Sequence, residues 1–110
     1  METKTVVQLN EKDFEKEILK SELPALVDFY ADWCGPCRMV SPVLESLSKE
    51  YDGKVKFVKI NTDENQELAM KLGIMSIPTV MIFRGGEMKA RIVGAGPASL
   101  YKQKINSVLN

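Results

Sequence analysis

Histidine is absent from the chain, and cysteine occurs only twice in 110 residues. The first absence removes the side chain that most often does acid–base work near neutral pH and most often binds metals. With so few thiols as well, a structural zinc site lacks the four Cys or His donors it takes. No excess of either charge is present, since Lys plus Arg and Asp plus Glu each number 15. A balanced surface offers nothing to nucleic acid or to an anionic membrane. No apolar run approaches the roughly 20 residues that span a bilayer, and Met1-Glu2-Thr3-Lys4-Thr5 has no apolar signal region. These absences point to the cytoplasm, a reducing compartment where a cysteine pair is catalytic and not structural. Internal repeats and low-complexity segments are lacking too. The length suits a single domain, 1–110, able to bury a core without disulfide staples.

What is present is concentrated in Asp32-Trp33-Cys34-Gly35-Pro36-Cys37-Arg38, which holds both cysteines, follows an apolar run and opens a helix-like segment. Two thiols with two residues between them can close and reopen a small disulfide ring. A structural role is weak, because so short a loop gives roughly 2 kcal/mol in the chain-entropy model against about 3 for a fifteen-residue loop. Cys34 falls at a helix N-terminus, where unpaired N–H groups and the helix dipole favour a thiolate. Cys37, one turn further in, is expected to be the less exposed and to attack a mixed disulfide formed at Cys34. Gly35 permits close approach of a partner's backbone, and Pro36 suits a first helical turn.

Ahead of this motif, Val6–Leu9 reads as a strand, and Asn10 caps a helix carrying Phe14, Ile18 and Leu19 on one face. Ala25–Ala31 is apolar on both faces, as in a central strand covered by helices. Asp28 interrupts it. A carboxylate there is costly when charged and unpaired, so its pKa should rise, and Leu26, Asp28 and Tyr30 share the face leading to the cysteines. This makes Asp28 a general base and acid for Cys37, acting through water, the alternative being a carboxylate satisfied by hydrogen bonds at a sheet edge.

Downstream, helical spacing runs from Met39 to Tyr51, with a kink expected at Pro42. Val55–Ile60 is the next strand. Its Lys59 is either a solvated edge lysine or a partner for Asp28. Thr62-Asp63 caps a helix that Gly73 stops. Thr79–Phe83 and Met88–Val93 form a hairpin across Gly85-Gly86, with Pro78 either a strand-start proline or a cis one. A last helix carries Leu100, Tyr101, Ile105, Val108 and Leu109. The order implies an α/β fold, a mixed sheet with helices on both faces.

From end to end, the sequence resembles the thioredoxin family. The resemblance rests on Val27–Arg38, Pro42, Lys59, Ile77-Pro78-Thr79, Gly86 and Val93-Gly94. It implies the thioredoxin fold, a central mixed five-stranded sheet flanked by four helices. It further implies a protein-disulfide reductase and redox electron carrier, with Cys34 as nucleophile, Cys37 as resolving thiol and a redox disulfide between them. Asp28 would transfer protons with Lys59 as its neighbour, and Pro78 would be cis and face the disulfide. Trp33, Gly35, Pro36, Ile77, Val93, Gly94 and Ala95 would form the apolar surface that receives disulfide-containing target proteins, an extended segment pairing with the backbone at Ile77. No cofactor would be bound. Reducing equivalents would come from NADPH through thioredoxin reductase, and the protein would act as a monomer. Tyr30 and Arg38 stand where many members have tryptophan and lysine, which touches partner preference more than mechanism. Two other functions fit the same residues. A disulfide oxidase or isomerase needs a less stable disulfide, and a binding subunit of a larger enzyme would leave the thiols incidental.

Overall fold

The computed structural model describes residues 5–110. Five strands, β1 (Val6–Gln8), β2 (Ala25–Tyr30), β3 (Lys56–Asn61), β4 (Thr79–Arg84) and β5 (Glu87–Val93), form one sheet in the order β1-β3-β2-β4-β5. The first two strands run parallel to β3, whereas β4 runs antiparallel to β2 and β5. Central position explains the continuous apolar run of β2, because both faces of that strand are covered.

Alternation along the strands divides the core into two layers. Leu26, Phe57, Val80 and Ile82 pack with Val40, Leu44 and Leu47 of α1 (Gly35–Glu50) and with Tyr101, Ile105 and Val108 of α3 (Ala98–Leu109). Across the sheet, Ala25, Val27, Phe29, Ile60 and Met81 meet Phe14, Ile18 and Leu68, the last from α2 (Gln66–Lys71). Each fully buried aliphatic side chain contributes about 1.5–3 kcal/mol relative to exposure. The two layers hold the C-terminal end of β2 in place, and this end delivers the cysteine loop.

The first helical segment departs from expectation. Instead of one α-helix it is a 3-10 turn, Glu11–Asp13, followed by a π turn, Glu15–Leu19, in which the Lys20 N–H donates to the Glu15 carbonyl at 3.0 Å. The wider turn still directs Phe14 and Ile18 into the core. Asn65, not Thr62 or Asp63, occupies the N-cap position of α2, and its side chain makes no capping hydrogen bond. The buried Asn65 amide donates to the Asn61 carbonyl at 2.8 Å, and the Glu11 carboxylate accepts from the Leu68 N–H at 3.0 Å, so a distant acid serves that helix start. Strand β3 begins at Lys56, one residue later than its apolar pattern suggested. Helix α1 remains helical on both sides of Pro42. The hairpin turns on Gly85 and Gly86, with φ of 63° and 82°, the double positive φ that favours glycine.

Candidate active site

At the end of β2 the chain turns through Asp32 and Trp33 into α1, with the Cys34 N–H bonded to the Ala31 carbonyl at 3.2 Å. Cys34 is the N-cap of α1, and its Sγ accepts from the Cys37 N–H at 3.2 Å. A sulfur in the N-cap position meets the orphan N–H groups and positive end of the helix. Cys34 and Cys37 are joined in a disulfide, their Cα atoms 5.3 Å apart.

The expected difference in exposure does not exist in this disulfide state. Cys34 is 3% and Cys37 4% exposed, because the ring folds both sulfurs against Ala31, Tyr30 and Ile77. What separates the two is their surroundings. Cys34 lines an open groove of about 490 Å³ with Trp33, Gly35, Pro36, Ile74, Met75 and Ile77. Cys37 lines a smaller cavity of about 210 Å³ with Asp28, Tyr30, Arg38, Ser41 and Lys59.

Asp28 is 4% exposed, and its Oδ1 has no hydrogen-bond partner. Burial pushes its carboxyl up from 3.8 to about 7, against an opposing pull from the Lys59 charge. The satisfied sheet-edge carboxylate is thereby excluded, since this oxygen is buried and unbonded. Lys59 lies opposite Asp28 in the parallel register. Among the described residues no ion pair joins them, and the Lys59 ammonium stands 5.5 Å from the centroid of the Tyr30 ring. Neither a simple edge lysine nor a salt bridge describes it.

On the groove side, the Ile77–Pro78 peptide is cis, and Cys34 Sγ lies 3.8 Å from the Ile77 carbonyl oxygen. The buried Pro78 carbonyl accepts from the Gly94 N–H at 2.8 Å, which draws Val93, Gly94 and Ala95 alongside. Gly94 has a φ of 88°, a left-handed conformation that favours glycine. Trp33 is 68% and Val93 59% exposed. Gly35 faces open space. Of the twelve residues singled out from the sequence, eight line the two spaces beside the disulfide, whereas Pro78, Val93, Gly94 and Ala95 line neither and are linked to the groove through Ile77 and the Gly94–Pro78 hydrogen bond.

Several others were not singled out. Asp63 accepts a 2.8 Å hydrogen bond from the Trp33 indole N–H and so orients an exposed ring. Ile74, Met75 and Ser76 form the groove wall opposite Trp33, Met75 being 96% exposed. Met75 beside the Ile-Pro segment was the one usable signal, a large apolar side chain in a loop.

No helix among the described residues is long and apolar enough to cross a membrane, and none of their His, Cys, Asp and Glu side chains cluster to hold a metal. The family model for thioredoxin matches residues 5–107. Thioredoxin 1 of Nostoc sp. is 49% identical over 93% of this chain and 95% of its own length. Thioredoxin of Synechocystis sp. is 51% identical over the same shares, 93% and 95%. The chloroplastic M-type thioredoxin of Pisum sativum is 46% identical over 92% of this chain and 59% of its own length. With the redox-active pair at the head of α1 and the mixed sheet behind it, the chain belongs to the thioredoxin family, the dithiol–disulfide oxidoreductases.

Proposed function

We propose that this protein-disulfide reductase works through Cys34 as nucleophile and Cys37 as resolving thiol, with Asp28 as the proton acceptor. One observation carries the reading: the two sulfurs of the pair border different spaces, Cys34 the groove and Cys37 the Asp28 cavity. In the dithiol form the Cys34 thiolate attacks one sulfur of a target disulfide. A mixed disulfide forms, and the other target sulfur leaves as a thiolate that takes a proton from solvent. Cys37 then passes its proton, through water, to the Asp28 carboxylate, and the Cys37 thiolate attacks Cys34 Sγ. That S–S bond forms as the mixed disulfide breaks and the second target sulfur leaves and is protonated. Two electrons and two protons reach the target, and the protein ends as the disulfide described above.

Target proteins would dock on Trp33, Gly35, Pro36, Ile77, Pro78, Val93, Gly94 and Ala95, with an extended segment along the Ile77 backbone. Lys59 tunes Asp28 through its charge. No bound cofactor is needed, because the two sulfurs themselves carry the electrons. Reduction of the disulfide by NADPH through thioredoxin reductase would complete an electron-transport cycle that maintains redox homeostasis. The protein would function as one domain over 1–110, a monomer in the reducing cytoplasm.

Trapping tests the assignment. Cys37→Ser, reduced and mixed with a disulfide-bonded protein, is expected to accumulate a covalent adduct that a dithiol releases. An adduct that survives in Cys34→Ser, or fails to form in Cys37→Ser, overturns it.

A further inference from the structure

The Asp28 cavity holds two cations, and neither is paired with the carboxyl. Arg38 Nη2 donates to the Asp32 carbonyl at 2.7 Å and is committed to the rim. Lys59 is the parallel-strand partner of Asp28 and shares its face of the sheet, the register in which oppositely charged neighbours can pair. Its ammonium instead lies over the Tyr30 ring, 5.5 Å from the centroid. Tyr30 is two residues beyond Asp28 on the same strand and face, so both acceptors for the lysine come from β2.

We propose that Tyr30 is a positioning residue: its ring holds the Lys59 ammonium off the Asp28 carboxyl, leaving the group beside Cys37 unpaired and available to take a proton. A cation within about 6 Å of an aromatic centroid is attracted to the ring face, and here it need not lose its water to a buried carboxylate. The unpartnered Asp28 Oδ1 is the counterpart of this arrangement. No other side chain takes the place of Lys59. From α1, Arg38 is occupied, and Ser41 and Cys37 are neutral. From the loop, Asp32 is acidic and exposed. From α3, the Tyr101 hydroxyl accepts from the Gly96 N–H at 3.2 Å, and its ionisation is pushed up, chiefly by burial and in part by the Asp28 charge.

The proposal rests on Asp28 being the proton acceptor, and the test separates the two. In the disulfide form, where no thiol titrates, the Asp28 carboxyl is followed by carbon NMR against pH in the parent, Tyr30→Leu and Tyr30→Phe, each also with Lys59→Met. Tyr30→Leu frees the ammonium to approach the carboxylate and lowers the midpoint by about one pH unit, roughly tenfold in proton affinity. Tyr30→Phe keeps the ring and restores the parent midpoint. With Lys59→Met the two Tyr30 variants titrate alike. An unmoved midpoint in Tyr30→Leu, or a fall that persists without Lys59, overturns the proposal. Should Tyr30→Leu fail to fold, the parent supplies the readout: Lys59 Cε protons displaced upfield of those of exposed Lys104 support it, and coincident shifts overturn it. The pH profile of mixed-disulfide release is recorded alongside. A carboxyl midpoint that moves while this profile stays still upholds the role of Tyr30 and removes Asp28 from the reaction.

Discussion

The groove beside Cys34 and the cavity beside Cys37 flank the same disulfide, yet they are built from opposite materials. Trp33, Pro36, Ile74, Met75 and Ile77 make the groove, which is open and apolar. Asp28, Lys59, Arg38, Ser41 and Tyr30 make the cavity, which is smaller and carries charged side chains. Burial alone does not distinguish the sulfurs, so the unequal roles proposed for them must come from what each can meet. An apolar groove beside Cys34 admits a peptide and shields an exchanging bond from water. A buried carboxyl beside Cys37 can hold a proton near neutral pH.

The largest break in this comparison comes from the sulfurs themselves. Cys34→Ser should lower protein-disulfide turnover by on the order of 10³-fold or more, because no nucleophile faces the groove. Cys37→Ser should lose turnover equally but keep the first attack, so a stopped reaction with bound target separates it from Cys34→Ser. Equal behaviour of the two variants toward a target, both inert or both adduct-forming, would erase the division between groove and cavity.

Next in size is Asp28→Asn. Release of target from the mixed disulfide should slow by on the order of 10²-fold, the low end for a positioned base acting through water. Stability moves the other way. The Asp28 carboxyl sits at about 7 in the folded chain against an ordinary 3.8. Between those values the folded state keeps a proton that the unfolded chain releases, so stability falls as pH rises through the window and levels off above the folded pKa. At about 1.36 kcal/mol per pH unit the ionised carboxylate costs up to about 4 kcal/mol. Asn never ionises. Denaturant midpoints should therefore show Asp28→Asn more stable than the parent at about pH 8, with the gap closing near pH 4. A gap that is constant with pH would mean that Asp28 is not a buried titrating group.

Much of this was legible in the chain. Asp28 stood out because a carboxylate in a doubly covered strand is costly to bury and seldom sits there without a chemical role. The cysteine pair stood out because a glycine and proline between two thiols fit a helix start. The strands followed from short apolar runs, continuous in the doubly covered β2, and the hairpin from the paired glycines at 85 and 86. The misses are tertiary. Helix α2 starts after Asn65, whose amide is buried against the Asn61 carbonyl, and its first turn is served by Glu11, which reaches the Leu68 N–H from 57 residues away. The π turn at Glu15–Leu19 leaves apolar spacing intact and so is invisible to it. Lys59 and Asp28 were expected as either a pair or strangers. The Tyr30 ring, which competes for the ammonium, adds a third state that no pairwise reading contains.

The smallest predicted effect sharpens the groove side alone. Asp63 touches no sulfur, but its carboxylate holds the Trp33 indole at 2.8 Å across the mouth of the groove. The ring is otherwise 68% exposed and free to choose other rotamers. Removing one exposed charge-assisted hydrogen bond is worth about 0.5–1 kcal/mol, so Asp63→Ala should raise KM for a protein disulfide roughly two- to fivefold. Chemistry on the cavity side is untouched by this change, and kcat and the pH profile of release should stay at the parent's values. Asp63→Asn, which retains an acceptor for the indole N–H, should recover most of the loss. If Asp63→Ala instead lowers kcat or displaces the pH profile, groove and cavity are coupled through Trp33, and the two sides of the disulfide cannot be treated as separate devices.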